Sequence, residues 1–163
     1  MSANRDAKVE LVAEIKDKMS RAKSLVFIDY NGLDVATDTQ LRSEFRKNGV
    51  EYHVYKNRLM LRALNELGIE GCDEELQGTT AVAMSFEDEV SAARIAADYV
   101  KKVPTMKTKF GVYENAKVDA AFVETLAKIP SKEVLIACLM NVIKAPIRGV
   151  AIALNAIAEK GEN

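Results

Sequence analysis

Basic residues are concentrated in one short stretch of the chain. From Arg42 to Arg62, six basic residues stand against two acidic ones, a local charge of +4. Two groups make up the cluster: Arg42 and Arg46 one turn apart on a predicted helix, and a set running from Lys56 to Arg62. The second set straddles a predicted strand-to-helix junction, where free backbone N–H groups and the helix dipole favour anions. The placement favours phosphate and nucleic acid over the alternative interpretation, an ordinary solvated face.

Catalytic chemistry has little to build on in this sequence. His53 is the single histidine, Cys72 and Cys138 lie far apart without ligand spacing, and no glycine loop has phosphate-cradling spacing. A small cytosolic enzyme using Asp29, His53 and Lys56 is therefore a rival hypothesis rather than the prediction. We expect a non-enzymatic protein with no catalytic residue, no metal and no cofactor.

Composition predicts a globular cytosolic protein. The 163 residues are 48% hydrophobic and 29% charged, which excludes a wholly disordered chain and fits one domain with an appendage. The net charge of −1 conceals a basic first third and an acidic middle. Charges throughout the first 19 residues argue against a secretory signal, and two distant cysteines fit a reducing compartment.

Hydrophobic periodicity predicts alternating helices and strands up to Pro130. The predicted helices are an amphipathic one on Val9, Val12, Ile15 and Met19, then 35–47, 58–67, 87–103 on Val90, Ala93, Ala97 and Val100, and 119–129. The predicted strands are 24–30, 50–55, 79–85 and 107–113. A capping box of Thr37 and Gln40 is predicted to start the second helix, and Asn48-Gly49 to stop it. Residues 1–130 are thus predicted to form an α/β (α+β) sandwich around a sheet of about four strands, with the strand order left open.

The segment from residue 131 onward has a different character. Between Val134 and Ala158, 20 of 25 residues are apolar, which predicts a long helix that must be covered by its own core, by lipid or by a partner. A membrane span is disfavoured because Lys144 and Arg148 would lie at its centre, at a cost of at least ~2.5 kcal/mol each. Docking on the chain's own core remains the plain alternative.

An internal repeat favours a partner. Ile136, Leu139 and Ile143 recur eleven residues later as Ile147, Val150 and Leu154. Eleven residues are close to three helical turns, so both triplets lie on nearly the same face, ~16 Å apart. The sequence therefore predicts two equivalent docking segments in series.

The ordered set of short motifs resembles the bacterial ribosomal protein L-ten family, the anchor at the base of the large-subunit stalk. The matching runs are Asp29-Tyr30-Asn31-Gly32-Leu33, Leu41-Arg42, Arg46, Gly49-Val50, Lys56-Asn57-Arg58-Leu59, Arg62-Ala63, Gly78 with Thr80, Leu126-Ala127, Pro130-Ser131 and residues 145–150. They cover nearly the whole chain. Departures from the family pattern are Thr79 for a proline, Asp34 for a threonine and Asn115 for a glycine.

The resemblance implies a cytoplasmic ribosomal protein with two binding regions. Residues 1–130 would bind large-subunit ribosomal RNA beside an L-eleven-type protein, and residues 131–163 would bind two dimers of the acidic L-twelve-type stalk protein, which recruit translational GTPases. The alternative is a soluble helical-tail adaptor that never binds RNA. The residues assigned to RNA are Lys8, Arg42, Arg46, Lys56, Asn57, Arg58 and Arg62. Those assigned to the stalk protein are Leu135, Ile136, Leu139, Met140, Ile143, Ile147, Val150, Ala151, Leu154 and Ile157.

Overall fold

The structure is a computed structural model that describes residues 3–69, 71–103, 105–114 and 116–161. Its elements, in chain order, are α1 (Ala3–Arg21), β1 (Ser24–Asp29), α2 (Val35–Lys47), β2 (Val50–His53), α3 (Asn57–Glu66), β3 (Ala81–Ser85), α4 (Ser91–Lys102), β4 (Lys107–Tyr113), β5 (Ala116–Asp119), α5 (Ala120–Ala127) and α6 (Lys132–Gly161). This is the predicted α+β class, followed by a long apolar helix.

The strands form one antiparallel sheet of five strands in the order β2-β3-β1-β4-β5. The prediction of about four strands missed β5, a short edge strand of exposed and half-exposed residues. β1 is central, and its Phe27 lies opposite Val82 on one side and Phe110 on the other. The central position explains why β1 is apolar along almost its whole length.

Helices cover both faces of the sheet. Side chains alternate across β1, so that Leu25 and Phe27 join one core cluster with α1 and α3. Val26 and Ile28 join a second cluster with α2, α4 and α5. The rings of Phe27 and Phe110 stack at 4.3 Å in the first cluster. The sheet thus separates α3 from α2, which decides how the basic residues are grouped.

Two predictions about the first two helices were wrong. Asp34 caps α2, its carboxylate accepting a hydrogen bond from the Val35 N–H at 2.8 Å, so the Thr37–Gln40 capping box does not begin this helix. In α1, Val9 is 61% exposed whereas Val12, Ile15 and Met19 are buried. The family departure at Asp34 therefore supplies a good N-cap residue.

α4 begins at Ser91 rather than at residue 87. A polar turn precedes it, in which the Ser91 hydroxyl donates to the Asp88 carboxylate at 3.0 Å and Ser85 donates to the Asp88 carbonyl. Ala92, Ile95 and Tyr99 join Ala93 on its buried face, whereas the predicted Val90, Ala97 and Val100 are half-buried. The sequence pattern predicted this helix correctly, but the buried face that it predicted is rotated from the observed one.

Loop residues tie the strand ends together. Thr79, at the family's proline position, donates its hydroxyl to the Asp29 carboxylate. Asn115, the third departure, lies outside the described residues. The chain divides into two compact units, Met1–Ile129 and Pro130–Asn163, and the second consists largely of α6.

Candidate functional site

A groove between α1 and the start of α3 gathers most of the predicted RNA-binding residues. Its volume is about 770 Å³, and Lys8, Lys56, Asn57, Arg58 and Arg62 all line it. We call it the cationic groove. It exists because α1 and α3 pack side by side on one face of the sheet, burying Ile15 and Met60 in a common core. Lys8 is thereby brought together with three positive charges near the start of α3.

The start of α3 contributes backbone donors to the cationic groove. Lys56 is the N-cap residue, and its side chain makes no capping hydrogen bond. The Lys56 carbonyl accepts from the N–H groups of Leu59 and Met60 at 2.8 and 3.2 Å, which leaves the first-turn amides before them available for an anion. This arrangement suits a phosphate group.

The cations of the groove have no ion-pair partner among the side chains that the structure describes. Among the side chains the structure describes, no carboxylate lies within 4.0 Å of a nitrogen of Lys8, Lys56, Arg58 or Arg62. Nearby Lys16 is different, because it pairs with Glu66 at 3.0 Å and links α1 to α3. The groove therefore keeps its positive potential for a ligand.

Asn57 is placed in the groove but is partly committed to the fold. Its side-chain amide donates to the Gly78 carbonyl at 2.7 Å, which ties the start of α3 to the loop before β3. Its side-chain oxygen and the second hydrogen of its amide remain for a nucleotide. The sequence assigned Asn57 to RNA, and the structure adds a positioning role.

Arg42 and Arg46 are not part of this groove. They lie on α2, whose Leu41 and Phe45 belong to the core cluster on the opposite face of the sheet. Arg42 pairs with Asp38 at 2.8 Å, and its guanidinium carbon lies 5.0 Å from the Tyr52 ring centroid. The +4 cluster counted along the sequence is thus divided between two faces.

His53 is positioned as a packing residue. Its ring stacks on Tyr55 with centroids 5.5 Å apart, and its Nε2 lies 3.3 Å from the Glu51 carboxylate. Asp29 accepts hydrogen bonds from the Thr79 hydroxyl and the Asn31 N–H within its own end of the sheet. The enzyme hypothesis required these residues to work together with Lys56, and their contacts are those of structural groups.

Two apolar residues of the cationic groove were missed by the sequence analysis. Leu11 of α1 and Val54 after β2 are each 44% exposed and line the groove with Tyr55 and Leu59. Leu11 lies one turn before the buried Ile15, at the edge of the core-facing side of α1, where a partly exposed apolar residue gives no signal of its own. Only the packing of α1 against α3 reveals that it stands beside Val54.

α6 is a second candidate site, and it is a single helix that runs through Pro146. Its described side chains from Lys132 to Asn155 are all exposed, and it is long and apolar enough by composition to cross a membrane. The two triplets are 51 to 73% exposed: Ile136, Leu139 and Ile143, then Ile147, Val150 and Leu154. The other assigned residues, Leu135, Met140, Ala151 and Ile157, are exposed as well.

Exposure of this extent indicates that α6 needs a covering partner. Burying a Val, Leu or Ile side chain is worth ~1.5 to 3 kcal/mol, so two exposed triplets represent a large unsatisfied driving force. Within the second unit, the described part of α6 has no other helix or strand to pack against. A covering partner is therefore the hypothesis taken up below.

Comparison with known proteins points to one family over both units. The family described as Ribosomal protein L10 matches residues 3–101, and the Ribosomal protein uL10 C-terminal region matches residues 129–163. The large ribosomal subunit protein uL10 of Clostridium acetobutylicum is 43% identical over 162 residues, covering 99% of this chain and 96% of that protein. The protein of the same name from Staphylococcus aureus strain JH9 is 44% identical over 162 residues, covering 99% and 98%.

Proposed function

Since this chain belongs to the ribosomal protein L10 family, we propose that it anchors the stalk of the large ribosomal subunit. Proteins of this family are structural, non-enzymatic components of the large subunit, and the chain is cytoplasmic as part of the ribosome. In the proposal, residues 1–130 bind ribosomal RNA beside an L-eleven-type protein. Residues 131–163 bind two dimers of an L-twelve-type stalk protein, through which translational GTPases are recruited.

The observation that carries the anchoring role is the exposure of α6. A helix whose two apolar triplets are uncovered is suited to helix-in-groove binding, in which anchors at i, i+3 and i+7 enter a partner's groove. Two of its positive charges, Lys144 and Arg148, are exposed at mid-helix and disfavour lipid as the covering medium. The proposed occupant is therefore protein.

RNA binding is supported by the cations of the groove, which have no carboxylate partner in the described part of the chain. Lys8, Lys56, Arg58 and Arg62 come from two helices and one junction and face a common concavity. Such a constellation can hold several phosphates of one RNA segment, and each phosphate contact releases counterions. Binding should consequently weaken as salt rises.

A salt titration with a transcribed fragment of large-subunit RNA spanning the stalk base tests this proposal. Lys56→Ala combined with Arg62→Ala should weaken binding and reduce the slope of log affinity against log salt by about 1.5 to 2. Both residues are exposed, so the variant should keep its fold. An unchanged slope in the folded double variant would sink the assignment of the groove.

The matched control removes two charges from the other face. Arg42→Ala combined with Arg46→Ala should reduce the slope less than the groove variant does, because α2 and α3 lie on opposite faces of the sheet. An equal loss would extend the interface to α2, as the sequence first suggested. A wild-type chain without salt-dependent RNA binding, and absent from sedimented large subunits, would instead favour the adaptor hypothesis.

A further inference from the structure

The cationic groove has an apolar floor that phosphate binding does not require. Leu11 and Val54 stand 44% exposed in it, and the half-buried Tyr55 and Leu59 complete the surface. Phosphate groups satisfy cations and amides, but they do not cover aliphatic carbon. A ligand for the whole groove must therefore present an apolar face together with negative charge.

We propose that the groove receives an unstacked nucleobase, with the base against the apolar floor and the flanking phosphates against the cationic rim. The inference rests on the proposed RNA binding and adds which RNA structure is bound: an unpaired nucleotide at a bulge, loop or junction. A groove of about 770 Å³ falls within the range of about 300–1,000 Å³ in which proteins bind small ligands. Unpaired bases are the part of RNA that proteins read most readily.

Charge distinguishes a nucleotide from a protein side chain as the occupant. Among the described side chains, no carboxylate pairs with the four cations of the groove, Lys8, Lys56, Arg58 and Arg62. An apolar protein residue bound here would remove water from these cations without neutralising their charge. A nucleotide brings the apolar face and the compensating charge together. The Tyr55 ring, stacked on His53, adds an aromatic surface to the floor.

Photo-crosslinking at position 54 tests the occupant directly. The full chain carrying p-benzoyl-phenylalanine in place of Val54 would be bound to the stalk-base RNA fragment, irradiated, and the crosslinked nucleotide mapped. Val54 lies between β2 and α3 and is exposed, so the substitution should not disturb the fold. Attachment to the base of one unpaired nucleotide is expected. Attachment within a continuous RNA helix would overturn the proposal, and so would attachment to another protein when whole large subunits are irradiated.

A second experiment removes the base while keeping the phosphates. An abasic residue at the crosslinked nucleotide should weaken binding at least about fivefold, as loss of base stacking does. Val54→Ser combined with Leu11→Ala should weaken binding of the intact RNA to a similar extent. Neither change removes a charge, so the salt slope should stay that of the wild type.

Combining the two changes shows whether the base and the apolar floor touch. The variant and the abasic RNA together should lose little more than either alone, because both remove one contact. Val35→Ser, at an 81% exposed position on α2, is the control and should leave affinity unchanged. Additive losses, or none from the groove variant, would refute the base site while leaving salt-dependent RNA binding intact. Absence of any RNA binding would refute the proposed function itself.

Discussion

At the scale of single residues, Tyr52 carries a buried hydroxyl that makes no hydrogen bond to the described residues. It is 8% exposed, its ring stacks on Phe45 at 5.3 Å, and its hydroxyl has no hydrogen-bond partner among the described residues. Burial, with a contribution from the Asp38 carboxylate, raises the pKa of Tyr52 to about 12 from its ordinary value of 10. The folded state therefore holds this proton more tightly than the unfolded state does.

Replacing Tyr52 by Phe should be neutral or stabilising at pH 7, by up to ~1 kcal/mol, because the unpaired hydroxyl is removed and the ring is kept. The sign of the pH effect follows from the raised pKa. Stability linked to the Tyr52 proton is complete below pH 10 and is lost as pH rises from 10 to about 12. Thermal unfolding between pH 7 and 12 should show a shallower alkaline decline for Tyr52→Phe. A lower melting temperature at pH 7 would mean that the hydroxyl has a partner.

Substitution of Asn57 should distinguish the contribution of positioning to RNA affinity from the contribution of charge in the cationic groove. Asn57→Ala loses the hydrogen bond to the Gly78 carbonyl and should cost ~1 kcal/mol of unfolding free energy, measured by urea denaturation. RNA affinity should also fall because the start of α3 is held less firmly, but with the wild-type salt slope. Lys56→Ala changes an exposed side chain at the neighbouring position and should have the opposite effects. The slope of log affinity against log salt should be smaller, and the free energy of unfolding should be unchanged. If Asn57→Ala left urea stability unaltered, the tie to Gly78 would not matter for the fold.

At the scale of elements, the close packing of α5 on the sheet depends on Gly111 in β4. A Cβ at this position would meet Val123 Cγ2 at 2.9 Å and the Leu25 carbonyl oxygen at 3.1 Å. Gly111→Ala should therefore destabilise the fold by ~1 to 3 kcal/mol through overpacking, measured by urea denaturation. Gly149→Ala is the matched control, because a Cβ there meets nothing within 4 Å and alanine favours a helix. A Gly111→Ala chain as stable as the wild type would mean that α5 can shift without loss.

Sequence periodicity identified most elements, and the errors have physical causes. α2 and β4 were predicted at their true bounds, because the end signal at Asn48-Gly49 and the run after Met106 are local. β5 was not predicted because this edge strand of four residues has no row of buried apolar side chains. Pairing order was beyond reach, since antiparallel neighbours such as β1 and β4 are far apart in sequence.

Apart from Lys8 of α1, the candidate site was predictable where it is local in sequence. The residues from Lys56 to Arg62 occupy the N-cap and the first turns of α3, so their charges could be grouped without a structure. Arg42 was grouped with them because sequence distance does not reveal that a sheet intervenes. Leu11 and Val54 were missed because two exposed apolar residues acquire meaning only when α1 and α3 place them in one groove.

At the scale of the whole molecule, two units with different surfaces suit two different kinds of partner. The first unit offers a groove lined by cations, whereas the second offers exposed aliphatic side chains. Net charge near zero hides this division, since the basic first third is balanced by an acidic middle. Each binding function should therefore be removable without the other.

A single charge on α6 tests that separation. Leu139→Asp should weaken binding of one stalk-protein dimer while RNA affinity stays at the wild-type value, because Leu139 is 60% exposed and lies in the second unit. Val134→Asp is the control: five residues earlier, it points about 140° away around the helix and should retain the dimer. The dimers retained by each variant can be counted by native mass spectrometry. Equal losses from both variants would show that the triplet face has no special part in docking.

The two triplets make a definite prediction of stoichiometry. If Ile136, Leu139 and Ile143 hold one dimer and the triplet eleven residues later holds a second, the intact chain carries four stalk-protein copies. Pro146 falls between the triplets, at a boundary where the lost backbone hydrogen bond and a kink of the helix do least harm to docking. A chain ending at Ala145 keeps the first triplet alone and should hold two copies. Native mass spectrometry of co-expressed complexes counts them directly, and six copies on the intact chain, or four on the truncated one, would contradict the repeat as the unit of docking.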